Sequence, residues 1–266
     1  MTGHAVTSAD FSTSSPAIAA ALALQTTTPH ASTAQPAINE RSVAHDAIQV
    51  SQLLTSRICH DLVGPVGIAA ASDDLRDVDG RLDDEALQLV SDSARVAANR
   101  LAFFRFAFGF GHGQATTATM GSLAPLAENA LADHRIRIDW LASDDGRHMA
   151  ERGIPAQAAR LILCLTLLAC EALPRGGRIS VEPVDGYSGF TVLLRAEGRG
   201  ARFPLPSLDA FRATRCDGLT PRTIVGFVAG QLSRELGARL DCSENGEGGV
   251  TLALHFAAAS GEIIAT

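Results

Sequence analysis

Apolar residues recur every three to four positions through the first part of the chain and then give way to alternation and short apolar runs. The spacing predicts a long helix over residues 44–78: at about 100° per residue, Leu54, Ile58, Leu62, Val66 and Ala69 share one stripe. Val78-Asp79-Gly80 makes a turn. From about Asp84 to Phe108, Leu87, Val90, Ala94, Ala97, Leu101, Phe104 and Phe108 alternate three- and four-residue steps, a heptad seam. The pair predicts an antiparallel hairpin of helices over 44–110. Two helices cannot bury both a seam and a wide stripe, so the expectation is a homodimer closing a four-helix bundle. Burial of the hairpin against a C-terminal domain is the competing account.

Residues 1–43, rich in Ala, Ser and Thr and without a period, predict a disordered leader. A Gly- then Thr-rich linker is expected over 111–120. Ser122 caps a short helix reaching about His134, and Ile136, Ile138 and Trp140 alternate with charged residues in a strand over Arg135–Leu141. Pro155 opens an apolar helix to Leu173, ended by Pro174-Arg175-Gly176-Gly177. Further strands are predicted at Arg178–Pro183, Phe190–Ala196, Arg239–Ser243 and Val250–Phe256, with a helix over Pro221–Leu236. This irregular mixture predicts an α+β protein: an α/β sandwich over 121–258, one sheet covered by helices on one face, then a tail over 259–266.

The 266 residues allow one or two domains, and 46% hydrophobic content supports a real core. A formal net charge of −7 argues against a nucleic-acid partner. The chain has no lysine, which excludes a Walker A lysine, a Schiff base and a kinase-type strand lysine. Cys59, Cys164, Cys170, Cys216 and Cys242 form no Cys-x-x-Cys pair, so free thiols in a reducing cytoplasm are expected. No segment has the ~18 continuous apolar residues of a membrane span, and no basic stretch followed by an apolar core marks a secretory signal. His45, His112, His134, His148 and His255 lack metal-ligand spacing, so no metal is assigned. The cluster of Phe103, Phe104, Phe106, Phe108 and Phe110 reads as bundle core and interdomain packing.

Candidate chemistry lies in Arg57-Ile58-Cys59-His60-Asp61-Leu62-Val63-Gly64-Pro65. His60 falls opposite the apolar stripe, so its imidazole points outward while its helix is anchored behind it. A neutral ring nitrogen there can act as a nucleophile toward phosphorus. Asp61 is a candidate to orient the ring or take its proton, although adjacent helical residues do not face each other. Arg57 shares the His60 face and could steady a phosphoryl group. Pro65 cannot donate to the Asp61 carbonyl and bends the helix at His60. Leu53, Arg57, Gly64, Gly67 and Ala71 complete the sector around His60. Gly64, Gly67 and Ala71 make a shallow groove for a partner, and Leu53 an apolar contact.

The His-Asp pair with Pro65 resembles the phospho-acceptor box of two-component signalling. Over residues 45–257 the order of elements resembles the histidine-kinase core, a dimerisation hairpin followed by an ATPase-like (Bergerat) sandwich. Glu171-Ala172-Leu173-Pro174-Arg175-Gly176-Gly177-Arg178-Ile179 and Gly198-Arg199-Gly200 are its other anchors. In those kinases the helix before Gly-Gly carries asparagines that hold Mg²⁺ and phosphate, and an aspartate reads adenine. Here the positions are Cys164, Leu168 and Ala196, and Asp217-Gly218-Leu219-Thr220-Pro221 replaces the glycine-rich lid. The combination resembles the alphaproteobacterial histidine phosphotransferases of the ChpT type. That resemblance implies a phosphorelay transferase carrying phosphoryl groups through His60, with no autokinase activity. It implies no cofactor of its own and Mg²⁺ supplied through the partner. The implied partners are the receiver domain of a hybrid sensor kinase and those of downstream response regulators, and the implied output is cell-cycle control. An ATP-dependent histidine kinase and a non-catalytic dimeric scaffold stay open as alternatives.

Overall fold

A computed structural model describes residues 34–76, 80–109, 117–133, 135–141, 143–186, 189–245 and 248–257. From Asp46 onward the chain is one compact unit. The first helix, α1 (Ala34–Ala70), starts ten residues before the sequence pattern predicts. Residues 34–43 lack an apolar period but also lack a breaker, because Pro36 sits in the first turn, where proline is tolerated. The helix also ends short of residue 78, passing into a 3-10 turn over Ala71–Leu75. Asp74 follows its C-terminus, where the helix dipole disfavours negative charge. The expected leader before residue 34, Phe110, the linker over 111–116 and the tail lie outside the described residues.

The second helix, α2 (Asp84–Phe108), matches its predicted span. The Asp83 carboxylate accepts the Ala86 amide at 2.7 Å, and Asp84 and Glu85 complement the positive end of the dipole. Its seam divides in two. Phe104 and Phe108 are buried with Phe103 and Ala107 in the main core, whereas Leu87, Ala94 and Leu101 are exposed. The C-terminal end of the seam thus packs within the chain, while Leu87, Ala94 and Leu101 are left uncovered by it. Phe103 meets Phe104 edge-on and Phe104 stacks on Phe108, both with centroids 5.8 Å apart.

The last predicted linker residues instead form a strand, β1 (Thr117–Thr119), paired antiparallel with β3 (Gly153–Pro155). Helix α3 (Met120–Leu131) is capped by Thr119 and not by Ser122, which is its reciprocal partner in a capping box. The main sheet has the order β2-β4-β5-β7-β6. Its strands are β2 (Ile136–Trp140), β4 (Gly177–Gly186), β5 (Gly189–Glu197), β6 (Arg239–Asn245) and β7 (Gly249–Ala257). Only the β2–β4 pair is parallel among these neighbours. Phe190, Val192, Leu194 and Ala196 of β5 point to the buried face, where α5 (Ala156–Glu171) forms the centre of the core.

Two helices escape prediction, α4 (Asp144–His148) and α6 (Leu205–Arg212). The first is too short to show a period. The second is hidden by Pro204 and Pro206, which mark its first turn rather than a break. Helix α7 (Ile224–Glu235) crosses α6 backbone to backbone. A Cβ on Gly226 or Gly230 would stand 2.0 Å from the carbonyl oxygen of Ser207 or Phe211. The Gly176-Gly177 and Gly198 pieces of the kinase-like motif likewise pack on each other: a Cβ on Gly198 would lie 2.4 Å from the Gly176 carbonyl oxygen. Among the described residues no helix is long and apolar enough to cross a membrane.

Candidate functional site

His60 stands on α1 with 82% of its side chain exposed. Its Nδ1 lies 3.0 Å from Asp61 Oδ1. An ionised carboxylate only accepts, so Nδ1 carries the proton and the free lone pair sits on Nε2. The contact between helical neighbours, which spacing alone leaves open, is therefore made.

Asp61 is held at both its ends. Its Oδ2 accepts Arg57 Nε at 2.8 Å. Its backbone carbonyl accepts a guanidinium N–H of Arg100, across the hairpin on α2, at 2.6 Å. The second bond follows from Pro65. Residue 65 should donate to the carbonyl of residue 61, and proline has no N–H, so Arg100 fills the orphaned acceptor. Arg100 was missed from sequence. The signal existed, since Gly80 at the hairpin turn lies midway between residues 61 and 100.

Arg57, one turn before His60, is engaged within the chain. It is 14% exposed, and besides Asp61 it donates to Glu171 Oε1 at 3.2 Å and to the Arg222 carbonyl at 3.5 Å. Glu171 ends α5, and its second oxygen accepts Ser207 Oγ of α6 at 2.8 Å. No local pattern marks Glu171 or Ser207, because their partners are 114 and 36 residues away. A second clasp joins the same two parts of the molecule: Gln49 Nε2 donates to the Cys216 carbonyl and Cys216 Sγ–H to Gln49 Oε1, each at 3.3 Å. Cys216 immediately precedes the segment 217–221, so the chain is latched to α1 just before it.

The sector around His60 consequently has two characters. Leu53, expected as an open apolar contact, packs on the core together with Leu54, Ile58 and Leu62. Below His60, Gly64 and Gly67 are exposed, and a Cβ on either would meet nothing within 4 Å. Ala71 leaves the groove: it begins the 3-10 turn and is half-buried. Val66, placed on the anchoring stripe, is instead 51% exposed, because the sandwich covers the earlier turns of the helix and not this one.

Cys164, Leu168 and Ala196 all lie inside the core cluster. Burial pushes the Cys164 thiol up to about 12, leaving a neutral sulfur packed among aliphatic side chains. Among the described residues no group of His, Cys, Asp and Glu side chains could hold a metal ion.

The site is thus an exposed, carboxylate-held histidine on a helical hairpin beside a mixed α/β sandwich. Residues 120–248 match the family model of the histidine phosphotransferase C-terminal domain. The protein phosphotransferase ChpT of Brucella abortus is 29% identical over 167 residues, covering 63% of this chain and 76% of that protein. A bacterial phosphotransferase of known structure aligns over 78% of this chain and 96% of its own at 23% identity, with a TM-score of 0.63. The histidine kinase domain of the Erythrobacter litoralis EL346 blue-light activated kinase covers 71% of this chain and 92% of its own, at 13% identity and a TM-score of 0.39. The chain is thus similar to histidine phosphotransferases over residues 120–248 and to that Brucella protein over 63% of its length.

Proposed function

We propose that this protein is a phosphotransferase, the intermediate of a phosphorelay, and that His60 is its phosphoryl acceptor. The observation that carries the reading is the geometry at His60: an exposed ring whose Nδ1–H is held by Asp61 and whose Nε2 faces outward. In the forward step the Nε2 lone pair attacks the phosphorus of a receiver phospho-aspartate. The N–P bond forms, the acyl O–P bond breaks and the receiver carboxylate leaves. The ring gains positive charge as this happens, and Asp61 beside Nδ1 offsets it. The reverse reaction delivers the group to the aspartate of a second receiver. The phosphorus must approach to about 3–3.5 Å, so the receiver packs against the open Gly64 and Gly67 side of the helix. Partners are the receiver domain of a hybrid sensor kinase and those of downstream response regulators. They bring the Mg²⁺; this chain contributes no cofactor. Cell-cycle control is the proposed output, as the sequence resemblance implies.

The test is incubation with phosphorylated receiver domains and mapping of the acid-labile phosphate. Label is expected on His60, and His60→Ala is expected to take none while keeping its helical circular dichroism, because the ring buries almost nothing. Full labelling of His60→Ala would overturn the assignment.

A homodimer through the hairpin completes the proposal. Among the described residues, all the large exposed hydrophobic side chains except Val184 and Leu205 lie on the hairpin, Ile48, Val63, Leu87 and Leu101 among them. Sedimentation is expected to give a dimer for the unaltered chain. It should give a monomer for Leu101→Asp, since a buried unpaired charge is strongly disfavoured.

A further inference from the structure

The Asp61 carboxylate can hold the His60 ring only if it is itself held. The two residues are neighbours on a helix, about 100° apart, so Asp61 must turn sideways to reach Nδ1. What fixes that turn is Arg57, and what fixes Arg57 comes from the other half of the molecule. Its Nε donates to Asp61 Oδ2 at 2.8 Å and a terminal nitrogen to Glu171 Oε1 at 3.2 Å. Arg57 and Glu171 are 14% and 13% exposed, and Ser207, which donates to the other Glu171 oxygen, is buried. Glu171 also sits at the C-terminal end of α5, where the helix dipole opposes a carboxylate. Its charge is tolerated there because Arg57 and Ser207 meet both oxygens. Histidine, aspartate, arginine, glutamate and serine thus form one continuous chain from the exposed ring into the sandwich.

We propose that Glu171, seated by Ser207, is a positioning residue for phosphoryl transfer: through Arg57 it fixes the Asp61 carboxylate and so keeps His60 in the Nδ1–H tautomer with Nε2 free. The proposal rests on His60 being the phosphoryl acceptor. It gives the sandwich a part in preparing the nucleophile, beyond any part in docking. A salt bridge that merely glues hairpin to sandwich would leave the tautomer alone. A chain that sets the tautomer would not, and a wrong tautomer is costly wherever a carboxylate orients a reacting imidazole.

The experiment uses the full chain, labelled with nitrogen-15, and phosphoramidate as a small donor that needs no docking surface. In that reaction the donor P–N bond breaks, ammonia leaves and phosphorus bonds to Nε2. Two quantities are read for each variant: the His60 tautomer from its ring nitrogen shifts, and the rate of His60 labelling. The unaltered chain is expected to be mainly Nδ1–H. Glu171→Leu is expected to populate the Nε2–H form and to slow labelling roughly 10- to 100-fold. Glu171→Gln, which keeps an acceptor for Arg57, should fall between, and Ser207→Ala should move both quantities a little in the same direction. Arg57→Lys should not restore the tautomer, because one ammonium cannot reproduce the two-armed guanidinium contact. If Glu171→Leu loosens the fold, as thermal unfolding would reveal, the Gln and Ser207→Ala variants decide. An unchanged tautomer in these variants overturns the positioning role, whether or not the rate falls. An unaltered chain that takes no label on His60 overturns instead the acceptor reading beneath it.

Discussion

At the scale of single residues, the site is organised around one missing hydrogen. Pro65 removes the donor that the Asp61 carbonyl would otherwise meet, and Arg100 supplies another from the facing helix. The same residue whose backbone is held this way presents its carboxylate to His60, so backbone and side-chain geometry are set together. Arg100→Leu should therefore do two things. It leaves a half-buried carbonyl without its charged donor, a loss of roughly 1–3 kcal/mol. It also frees the helix at Asp61 and should lower the rate of labelling at His60. Chemical denaturation measures the first and a transfer assay the second. A further substitution, Pro65→Ala, restores the backbone N–H, and in the Arg100→Leu background it should recover most of the lost stability. No recovery would mean that Arg100 acts through something other than the orphaned carbonyl.

At the scale of elements, the two glycines below His60 are costly and open. Glycine in a helix interior is about 1 kcal/mol less favourable than alanine, and neither Gly64 nor Gly67 is required by crowding within the chain. Gly64→Ala should then raise the melting temperature by about 2–4 °C and leave transfer close to normal. Gly64→Trp should keep dimerisation and helicity but slow transfer from a receiver strongly, since the large ring fills the space where the partner packs. Normal transfer by Gly64→Trp would move recognition to α2. Much of this level was legible in the sequence. The 3.6-residue period placed α2 within its observed bounds, and alternation located β2, β4, β5, β6 and β7. The outward direction of His60 followed from the same arithmetic. What escaped were elements with too few residues for a period, such as α4, and proline-opened α6. Also illegible were contacts whose partners lie far apart in sequence: Glu171 with Arg57, and Gln49 with Cys216. Helical spacing placed Arg57 on the His60 face but not its bond to Glu171, because spacing assigns a face and not what another part of the chain brings to it.

At the scale of the whole molecule, the question is whether the sandwich can hold a nucleotide. Its interior gives a physical answer. Cys164 and Leu168 on α5 and Ala196 on β5 fill the core, where oxygen ligands for Mg²⁺ and an acceptor for the adenine amine would be needed. The glycines that remain serve close packing: Gly176 and Gly198 meet backbone to backbone. The chain just before the segment 217–221 is clasped to α1 through Cys216 and Gln49. These contacts make the sandwich a support for the first helix. The sandwich is accordingly expected to bind no ATP. Titration calorimetry with millimolar Mg-ATP should give only heats of dilution, and the melting temperature should not move, since a ligand of the native state raises it in proportion to RT ln(1 + [L]/Kd). Restoring polar ligands should not rescue binding either: Leu168→Asn buries an amide in the core with no partner, at a cost of roughly 1–3 kcal/mol, and should destabilise the chain without gaining nucleotide affinity. Micromolar, Mg²⁺-dependent binding by the unaltered protein would instead mark the sandwich as an active ATPase module and His60 as the target of its own kinase.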